Sequence, residues 1–321
     1  MSTFASILDA SSRKSVLVTA CDTFPGYMIA RELLKRKGKH FERVCAGYYK
    51  ENKLVHLLKH EGAHCIHMEI SKPDAICDAY HKADVVIVVP PVSDEHWAKK
   101  DSCVYLHAAT KAGVKGLVLC SKINADKMRD LKMLAPLHEM EMTLEKIRNQ
   151  IECVSLLRCS LHTDMLWLFR HQIAEDRKLC LSVGKDAKCA PMVEKDGAHG
   201  LYNMLTDSKF PPGVYELTGP EKVSMADMAH KASSAIGKDI KYEHVSRKDM
   251  EHYLHKQDEI CSSEICFIGD LLEAMGKNVL DVCTDDLKKL LQQDPMSVKE
   301  FLEKNSKDFK PRSSSTEATA A

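Results

Sequence analysis

The feature that most constrains this chain is the alternation of short apolar runs with longer segments of helical periodicity. The apolar runs occupy residues 15–19, 43–49, 64–70, 84–91, 116–121 and 152–158. Strands that are buried on both faces have this near-continuous apolar pattern, and parallel strands need long crossovers between them. The first half of the chain therefore predicts an α/β fold with a doubly wound parallel sheet, whose ligand crevice lies at the carboxyl ends of the strands.

The segments between these runs predict the crossover helices. They follow Gly26 and then occupy residues 52–62, 73–82, 94–113 and 138–150. Gly62 suits a helix C-cap and Pro73 a first helical position. After Arg158 the alternation is looser, with a helix predicted over 165–178 and N-caps predicted at Ser224 and Ser297.

Composition excludes several classes of protein. Lysine plus arginine and aspartate plus glutamate each total 46 residues, so no net charge favours nucleic acid or an anionic membrane. The first fifteen residues lack the pattern of a secretory signal, and the most apolar run is too short to span a bilayer. Thirteen cysteines, an odd number, favour reduced thiols over a disulfide framework. We expect a cytoplasmic globular protein with no direct nucleic-acid or membrane partner.

The first strand, turn and helix lie where a dinucleotide fold places its phosphate loop. The three glycines of such a loop permit a tight turn, close approach of the pyrophosphate, and close packing of the helix on the strand. The equivalent positions here are Ala20, Thr23 and Gly26, so only the packing glycine is present. The pattern predicts the fold of a dinucleotide-binding domain with an altered loop.

Two further residues in this turn disfavour a bound pyrophosphate. Pro25 lacks a backbone N–H that could donate to a phosphate. Asp22 adds a carboxylate, and two like charges at 4 Å repel by about 1 kcal/mol in water and about 4 kcal/mol at an effective dielectric constant near 20. We expect dinucleotide binding to be weakened or lost.

With the turn placed, the chain resembles the NmrA-like family of atypical short-chain dehydrogenases, which have an NAD(P)-binding Rossmann fold. The turn "VTACDTFPG" stands where the family has "VTGATGxxG". The segments "AATKAGVKGLVLCSK", "VYELTGPEKVSMADMA" and "DVCTDDLKKLLQQDPMSVKEFL" resemble family segments in the same order. The resemblance covers roughly residues 15–305.

The resemblance implies a domain division. It gives a Rossmann-like NAD(P)-binding domain over 14–160 and a smaller, mainly C-terminal capping domain over 161–305, discontinuous and sharing strands with the first. Residues 306–321 have the composition of a disordered tail.

The resemblance also implies the residues that contact a cofactor. The turn would contribute six of them, Tyr49 would follow the second strand, Glu69 would be the adenine-side acid, and Pro90 and Pro91 would lie on the nicotinamide side together with Ser121. The six turn residues are Thr19, Ala20, Asp22, Thr23, Phe24 and Gly26. A tyrosine at position 49, where an arginine often binds the extra phosphate of NADP, weakens the case for NADP.

The family's Tyr-x-x-x-Lys catalytic pair is missing after the fifth strand. Tyr49 and Lys53 have that spacing but follow the second strand. Some atypical members use another polar residue near the start of the next helix, which here is His138, and a histidine can donate a proton near neutral pH. We take His138 and Ser121 as candidate catalytic residues, although a lone histidine at a helix start also serves solubility or local hydrogen bonding.

Other chemistry-bearing residues have simpler explanations. Cys21 and Cys120 lie at the same sheet edge, but a strand between them would separate them by about 9.6 Å, which is beyond disulfide reach. Cys21 alone, near a helix N-terminus, is either a reactive thiol or an inert small residue. His56 and His60 suit a solvated helix face, so we expect no metal.

For three more side chains the sequence suggests a location but no chemical role. Trp97 suits a packing face better than a pocket wall. The resemblance implies that His162 and Asp164 border the substrate site, and the sequence assigns them no chemistry.

Three functions follow from these observations. The first is a regulatory or redox-sensing protein of the NAD(P)-binding type, with weak or no catalysis and a protein partner. The second is an active NAD(P)H-dependent oxidoreductase that reduces quinones or small carbonyl compounds. The third is a scaffold that binds no ligand.

Overall fold

A computed structural model describes residues 2–11, 14–99, 101–257 and 260–310. The strands of these residues are β1 (Ser15–Val18), β2 (Arg43–Tyr48), β3 (His64–His67), β4 (Val85–Val88), β5 (Gly116–Lys122), β6 (Cys153–Cys159), β7 (Lys178–Leu181), β8 (Lys188–Cys189), β9 (Val214–Leu217), β10 (Val223–Ser224) and β11 (Lys241–His244).

Seven of these strands form one parallel sheet in the order β3-β2-β1-β4-β5-β6-β9. The chain leaves β1 for β2 on one side and reaches β4 on the other, with Val16 paired to both Val44 and Val85. The point where the strand order reverses lies between β1 and β4, and ligand crevices of such sheets form there. The predicted doubly wound sheet is confirmed.

Helices cover both faces of this sheet. They are α1 (Phe4–Ala10), α2 (Phe24–Leu34), α3 (Lys53–His60), α4 (Pro73–Tyr80), α5 (Val104–Lys111), α6 (Ala135–Ile147), α7 (Glu194–Thr206), α8 (Met225–Ile236), α9 (Arg247–His255), α10 (Ser262–Gly276), α11 (Asp286–Leu291) and α12 (Val298–Lys304). One core contains side chains of α1, α2, α7 and α11, and the other contains α4, α5, α6, α8 and α10. Strands β1, β4 and β5 are buried at every residue, and burial on both faces explains their unbroken apolar runs.

The predicted helix ends are largely present. Gly62 follows α3 with φ +92°, and Pro73 opens α4. Ser224 and Ser297 each form a capping box, with Asp227 and Glu300 respectively. These local signals depend only on neighbouring residues, which is why the sequence shows them.

The predicted bounds of two helices are wrong. Among the described residues of the predicted 94–113 helix, 104–111 form helix α5 and 95–99 form turns. The buried Asp94 carboxylate accepts from Ile70 N (2.9 Å) and His96 N (2.8 Å), and these bonds favour turns over a helix at the start of the segment. The predicted helix over 165–178 is a 3₁₀ turn, Thr163–Phe169, and a π turn, Gln172–Asp176, before β7 pairs with β11. Helix α1 was not predicted.

The second half of the chain adds a small region beside the sheet. β7 pairs with β11 in parallel and β8 with β10 antiparallel, while β9 returns to the main sheet. Packing continues beyond residue 305, since Phe309 is fully buried and stacks on Trp167 with ring centroids 5.0 Å apart. The rest of the predicted tail, 311–321, lies outside the described residues. None of the helices described is long and apolar enough to cross a membrane.

Candidate functional site: the crevice at the strand ends

The turn between β1 and α2 keeps the tight geometry of a phosphate loop without its first glycine. Ala20 has φ +51°, in the left-handed region that glycine enters without steric cost. Gly26 packs directly on this turn, where an added Cβ would lie 2.2 Å from the Ala20 carbonyl oxygen. Gly26 is therefore a packing glycine, as the sequence predicts, and Ala20 bears a strained backbone.

Replacing Ala20 with glycine will stabilise the protein. Glycine relieves the left-handed strain, and this gain exceeds the added flexibility of the unfolded chain, so we expect the free energy of unfolding to rise by about 0.5–1 kcal/mol. Urea denaturation measures this change. Ala112→Gly, at a helix C-cap with an ordinary φ of −79°, is the control and should lower stability. A loss of stability in Ala20→Gly would contradict the strain argument.

The Asp22 carboxylate is held inside the crevice. It is 4% exposed and accepts from the backbone N–H of Tyr49 (3.2 Å) and of Lys50 (3.0 Å), and from Ser93 Oγ (2.7 Å). The two amides follow β2 and Ser93 follows β4, so one side chain of the β1 turn joins three strand ends. The carboxylate occupies donors at the crevice edge that an anionic ligand would otherwise meet.

Other polar groups of the turn are also satisfied within the protein. Thr19 Oγ1 donates to Val89 O (2.8 Å), and Thr23 Oγ1 donates to Ala20 O (2.7 Å). Cys21 N donates to Gly47 O (2.7 Å), and Asn52 Nδ2 donates to Asp22 O (2.7 Å). The turn is closed by its own chain, and all residues from 19 to 23 are buried.

One carboxyl group of the C-terminal region is coupled electrostatically to Asp22. Glu264, in the first turn of α10, accepts from Cys261 N (3.0 Å), and its pKa is raised by burial and, in smaller part, by the charge of Asp22. The charge of Asp22 therefore acts, as a minor cause, on a carboxyl group in the first turn of α10.

The other residues expected to contact a cofactor lie at the start of α2 and after the ends of β2, β3 and β4. Phe24 opens α2 and is 37% exposed. Tyr49 stacks on His67, with centroids 6.3 Å apart. The Glu69 carboxylate pairs with Lys72 Nζ (2.7 Å), and its hydrogen bonds from Lys72 and Ser71 lower its pKa to about 2. Pro90 is half-buried and Pro91 buried. These positions stay predictions as cofactor contacts.

The two candidate catalytic residues have different surroundings. Ser121, 3% exposed, donates to Glu141 Oε1 (2.6 Å), and Glu141 is bound by Arg158 through Nη2 (2.7 Å) and Nε (3.1 Å). Its hydroxyl proton is thus engaged by a carboxylate that is already paired. His138 lies one turn inside α6, which begins at Ala135 rather than at the predicted residue 138, and is half-buried.

A polar cluster at the ends of β5 and β6 was missed as a unit by sequence reasoning. Lys122 Nζ, in a residue 9% exposed, lies 3.2 Å from Ser160 O and 3.3 Å from His162 Nε2. His162 Nδ1 lies 2.7 Å from Glu194 Oε2. We call Lys122, Ser160, His162 and Glu194 the Lys122 cluster. The sequence feature that could have indicated this cluster is Lys122 itself, a lysine at the last position of the buried strand β5.

Burial governs the charges in this cluster. It lowers the pKa of Lys122 and of His162, although the Glu194 charge acts in the opposite direction on both. Burial alone would raise the pKa of Glu194, but His162 and Lys122 outweigh it and the pKa is lowered. Nearby, burial raises the pKa of Asp164 to about 7, and this residue accepts from Glu194 N (2.7 Å).

The cysteines show no activated thiol in the crevice. All thirteen lie in the described residues and are free, and burial raises the pKa of Cys21 and Cys120 well above the usual thiol value. No group of three His, Cys, Asp or Glu side chains in the described part of the chain is placed to hold a metal ion. Trp97 is a core residue, 1% exposed, whose Nε1 donates to Met133 O (2.9 Å).

The sequence model of the NmrA-like family matches residues 14–302. The chain belongs to the NmrA-like family. A curated relative, prestalk A differentiation protein A of Dictyostelium discoideum, is 24% identical over 98 residues, which are 30% of this chain and 32% of that protein. This NmrA-like protein therefore matches about a third of the length of that relative.

Solved structures share the fold over nearly the whole chain. An NADPH-dependent quinone oxidoreductase of Escherichia coli, complexed with NADPH, has a TM-score of 0.73 at 18% identity, covering 90% of this chain and 99% of that one. The Citrobacter triphenylmethane reductase, complexed with NADP(H), has a TM-score of 0.72 at 17% identity, covering 91% and 99%. At these identities the likeness shows the fold alone, a Rossmann-like α/β fold.

Proposed function

We propose that this NmrA-like protein is a regulatory member of its family with weak or no catalysis, in which the dinucleotide crevice is held closed by the Asp22 carboxylate. The observation that carries the proposal is the triple contact of Asp22 with Tyr49 N, Lys50 N and Ser93 Oγ. A dinucleotide phosphate at this edge would have to displace a buried carboxylate from three donors and tolerate its charge.

The surroundings of Ser121 support the same proposal. A catalytic hydroxyl must exchange its proton with substrate, whereas this one is buried and donates to Glu141. Regulation without catalysis acts through a partner, and a protein partner stays a prediction. Sensing of redox state through a dinucleotide requires dinucleotide binding and stays a prediction too.

Titration calorimetry with NADPH and NADH tests the proposal. We expect no saturable binding by the natural chain, and binding at least about tenfold tighter by the Asp22→Gly, Thr23→Gly double variant, because charge and bulk are both removed. Asp22→Asn removes the charge of the side chain but keeps its shape, so it tests the charge alone. Thr23→Gly alone removes the Thr23 side chain and tests the effect of its bulk.

Tight binding by the natural chain would overturn the proposal and favour the reductase alternative, active on quinones or small carbonyl compounds. Loss of NADPH oxidation in His138→Ala would then identify His138 as the proton donor. If neither the chain nor the double variant binds a dinucleotide, the crevice is not merely closed by these residues, and the scaffold alternative is favoured.

A further inference from the structure

Four neighbouring strands of the main sheet begin next to a cation. Arg43 is the first residue of β2, Lys14 directly precedes β1, and Lys115 directly precedes β5. Lys82 lies three residues before β4, in the segment that joins α4 to this strand. Because the sheet order is β2-β1-β4-β5, these four residues follow one another along the amino-terminal edge, which is the edge opposite the crevice. We call Lys14, Arg43, Lys82 and Lys115 the basic edge.

Backbone hydrogen bonds hold this row together. Arg43 N donates to Lys14 O (3.5 Å), and Lys115 N donates to Asp84 O (3.2 Å). Asp84 N donates in turn to Ser15 O (2.9 Å), which joins the start of β4 to the start of β1. Neighbouring strands are about 4.8 Å apart, so three spacings give a row about 14 Å long. The sheet therefore fixes the positions from which the four cationic side chains extend.

The cations of the basic edge have no partner within the described structure. Three of the four residues are exposed, and Lys14 is half-buried. Among the described residues, none accepts a hydrogen bond from these four side chains or forms an ion pair with them. Lys111, which ends α5, differs because its ammonium pairs with the Asp74 carboxylate (2.9 Å). The basic edge is thus a row of charges that the described chain leaves uncompensated.

Helix dipoles favour cations at this edge but do not bind them. Helices α2 to α5 each run back toward the start of the next strand, and the negative end of a helix dipole attracts a nearby cation. A lysine in that role can donate to a carbonyl beyond the helix end, as Lys37 Nζ does to Gly62 O (3.4 Å) after α3. The basic edge makes no such bond to the described residues. Its donors are therefore available to a group outside the chain.

Two of these charges also act on the neighbouring edge strand. Burial lowers the pKa of His64, the first residue of β3, and the charges of Arg43 and Lys82 lower it further. Cations that act on one common group lie within range of each other, and like charges repel. A bound carboxylate relieves this repulsion, so the row favours an anionic partner.

The size of the row limits the kind of anion that fits. Glu42, next to Arg43, and Glu152, directly before β6, are exposed, so carboxylates border the row. A nucleic-acid site that engages about six to ten phosphates needs more cations than this row offers. An extended peptide advances about 3.3 Å per residue, so about four residues span the same length as the row. A short acidic peptide segment therefore fits better than a nucleic acid.

We propose that the basic edge docks an acidic segment of a protein partner, an extended stretch of about four residues rich in aspartate and glutamate. Its carboxylates pair with Arg43, Lys82 and Lys115. The attraction is local, since basic and acidic residues in the whole chain total 46 each. This inference goes beyond the proposed function, because the basic edge and Asp22 lie at opposite ends of the strands and binding there does not require a closed crevice.

Fluorescence anisotropy of a fluorescein-labelled octaglutamate peptide tests the proposal. We expect saturable binding by the natural chain that weakens as salt rises from about 0.05 M to about 0.5 M, because salt screens exposed charges. The triple variant Arg43→Gln, Lys82→Gln, Lys115→Gln should bind the peptide at least about tenfold more weakly. These residues are exposed, so the variant should keep the circular dichroism spectrum and the urea midpoint of the natural chain.

A second triple variant is the matched control. Lys146→Gln, Lys238→Gln, Lys256→Gln removes three other exposed lysines, none of which forms an ion pair with a described residue. Both triple variants lose three positive charges, so they differ only in where the charges are removed. The control should bind octaglutamate as tightly as the natural chain does.

Three results would overturn the proposal. One is equal weakening in the two triple variants, since net charge rather than the basic edge would then attract the peptide. Another is the absence of saturable binding by the natural chain at about 0.05 M salt, a result that needs no variant. The third is tighter binding of a labelled DNA oligonucleotide that depends on the same three cations, which would assign the surface to nucleic acid. Binding of NADPH would overturn the closed crevice and leave all three outcomes unchanged.

Discussion

Gly26→Ala will lower the free energy of unfolding by about 3–5 kcal/mol, because the new methyl group meets backbone rather than side chain. Its Cβ would lie 2.2 Å from Ala20 O, 2.6 Å from Ala20 C and 2.8 Å from Thr19 O. Backbone atoms at the end of a central strand have no rotamer to change, so helix α2 has to move away from the sheet and lose its packing. Urea denaturation followed by circular dichroism measures the loss.

Gly184→Ala is the matched control for this experiment. No atom lies within 4 Å of a Cβ at Gly184, so this substitution should change stability by less than about 1 kcal/mol. Ala20→Gly should not rescue Gly26→Ala, since the clashing atoms of residue 20 belong to its carbonyl group. A fully stable Gly26→Ala protein would show that α2 packs less closely on the turn than the structure has it.

Asp22→Ala will cost about 3–5 kcal/mol of stability for a different reason. It removes the shared acceptor of Tyr49 N, Lys50 N and Ser93 Oγ, and each buried donor left unpaired costs about 1–3 kcal/mol, less where water enters the space. Asp74→Ala is the control, because the Asp74 carboxylate pairs with Lys111 at the surface and exposed pairs contribute about 0–1 kcal/mol.

A ligand measurement separates the two roles of Asp22. If the carboxylate fills an anion site, NADPH should raise the melting temperature of Asp22→Ala and leave that of the natural chain unchanged. A loss of stability as small as that of Asp74→Ala would show that water replaces the carboxylate at little cost. The account of a crevice held closed by Asp22 would then fail.

Local signals explain what the sequence predicted correctly. Apolar runs identified strands β1 to β6, although the edge strand β3 is only partly buried. Gly62, Pro73, Ser224 and Ser297 marked helix ends, because each signal depends on residues a few positions away. Gly26 was identified as a packing glycine from its place in the turn, and its close approach to Ala20 agrees. The prediction of a helix before α5 was wrong. The Asp94 carboxylate accepts a hydrogen bond from Ile70 N, and helical periodicity carries no information about a contact between residues 24 positions apart.

The candidate site was predicted only in part. The sequence located the altered turn and the charge of Asp22, and it predicted repulsion of a phosphate. It did not predict that this carboxylate binds amides 27 and 28 residues away and a hydroxyl 71 residues away. Nor did it join Lys122 to His162, which are 40 residues apart.

The sequence by itself determined strands β1 to β6, their parallel arrangement and the absence of two loop glycines, because local patterning and residue identity decide these features. Only the tertiary structure decided which donors the Asp22 carboxylate meets in the crevice. Parallel strands bring the ends of β1, β2 and β4 to one edge, and β5 and β6 to the same edge farther along. Hydrogen bonds between such ends join residues far apart in the chain, so they exist only once the sheet has formed.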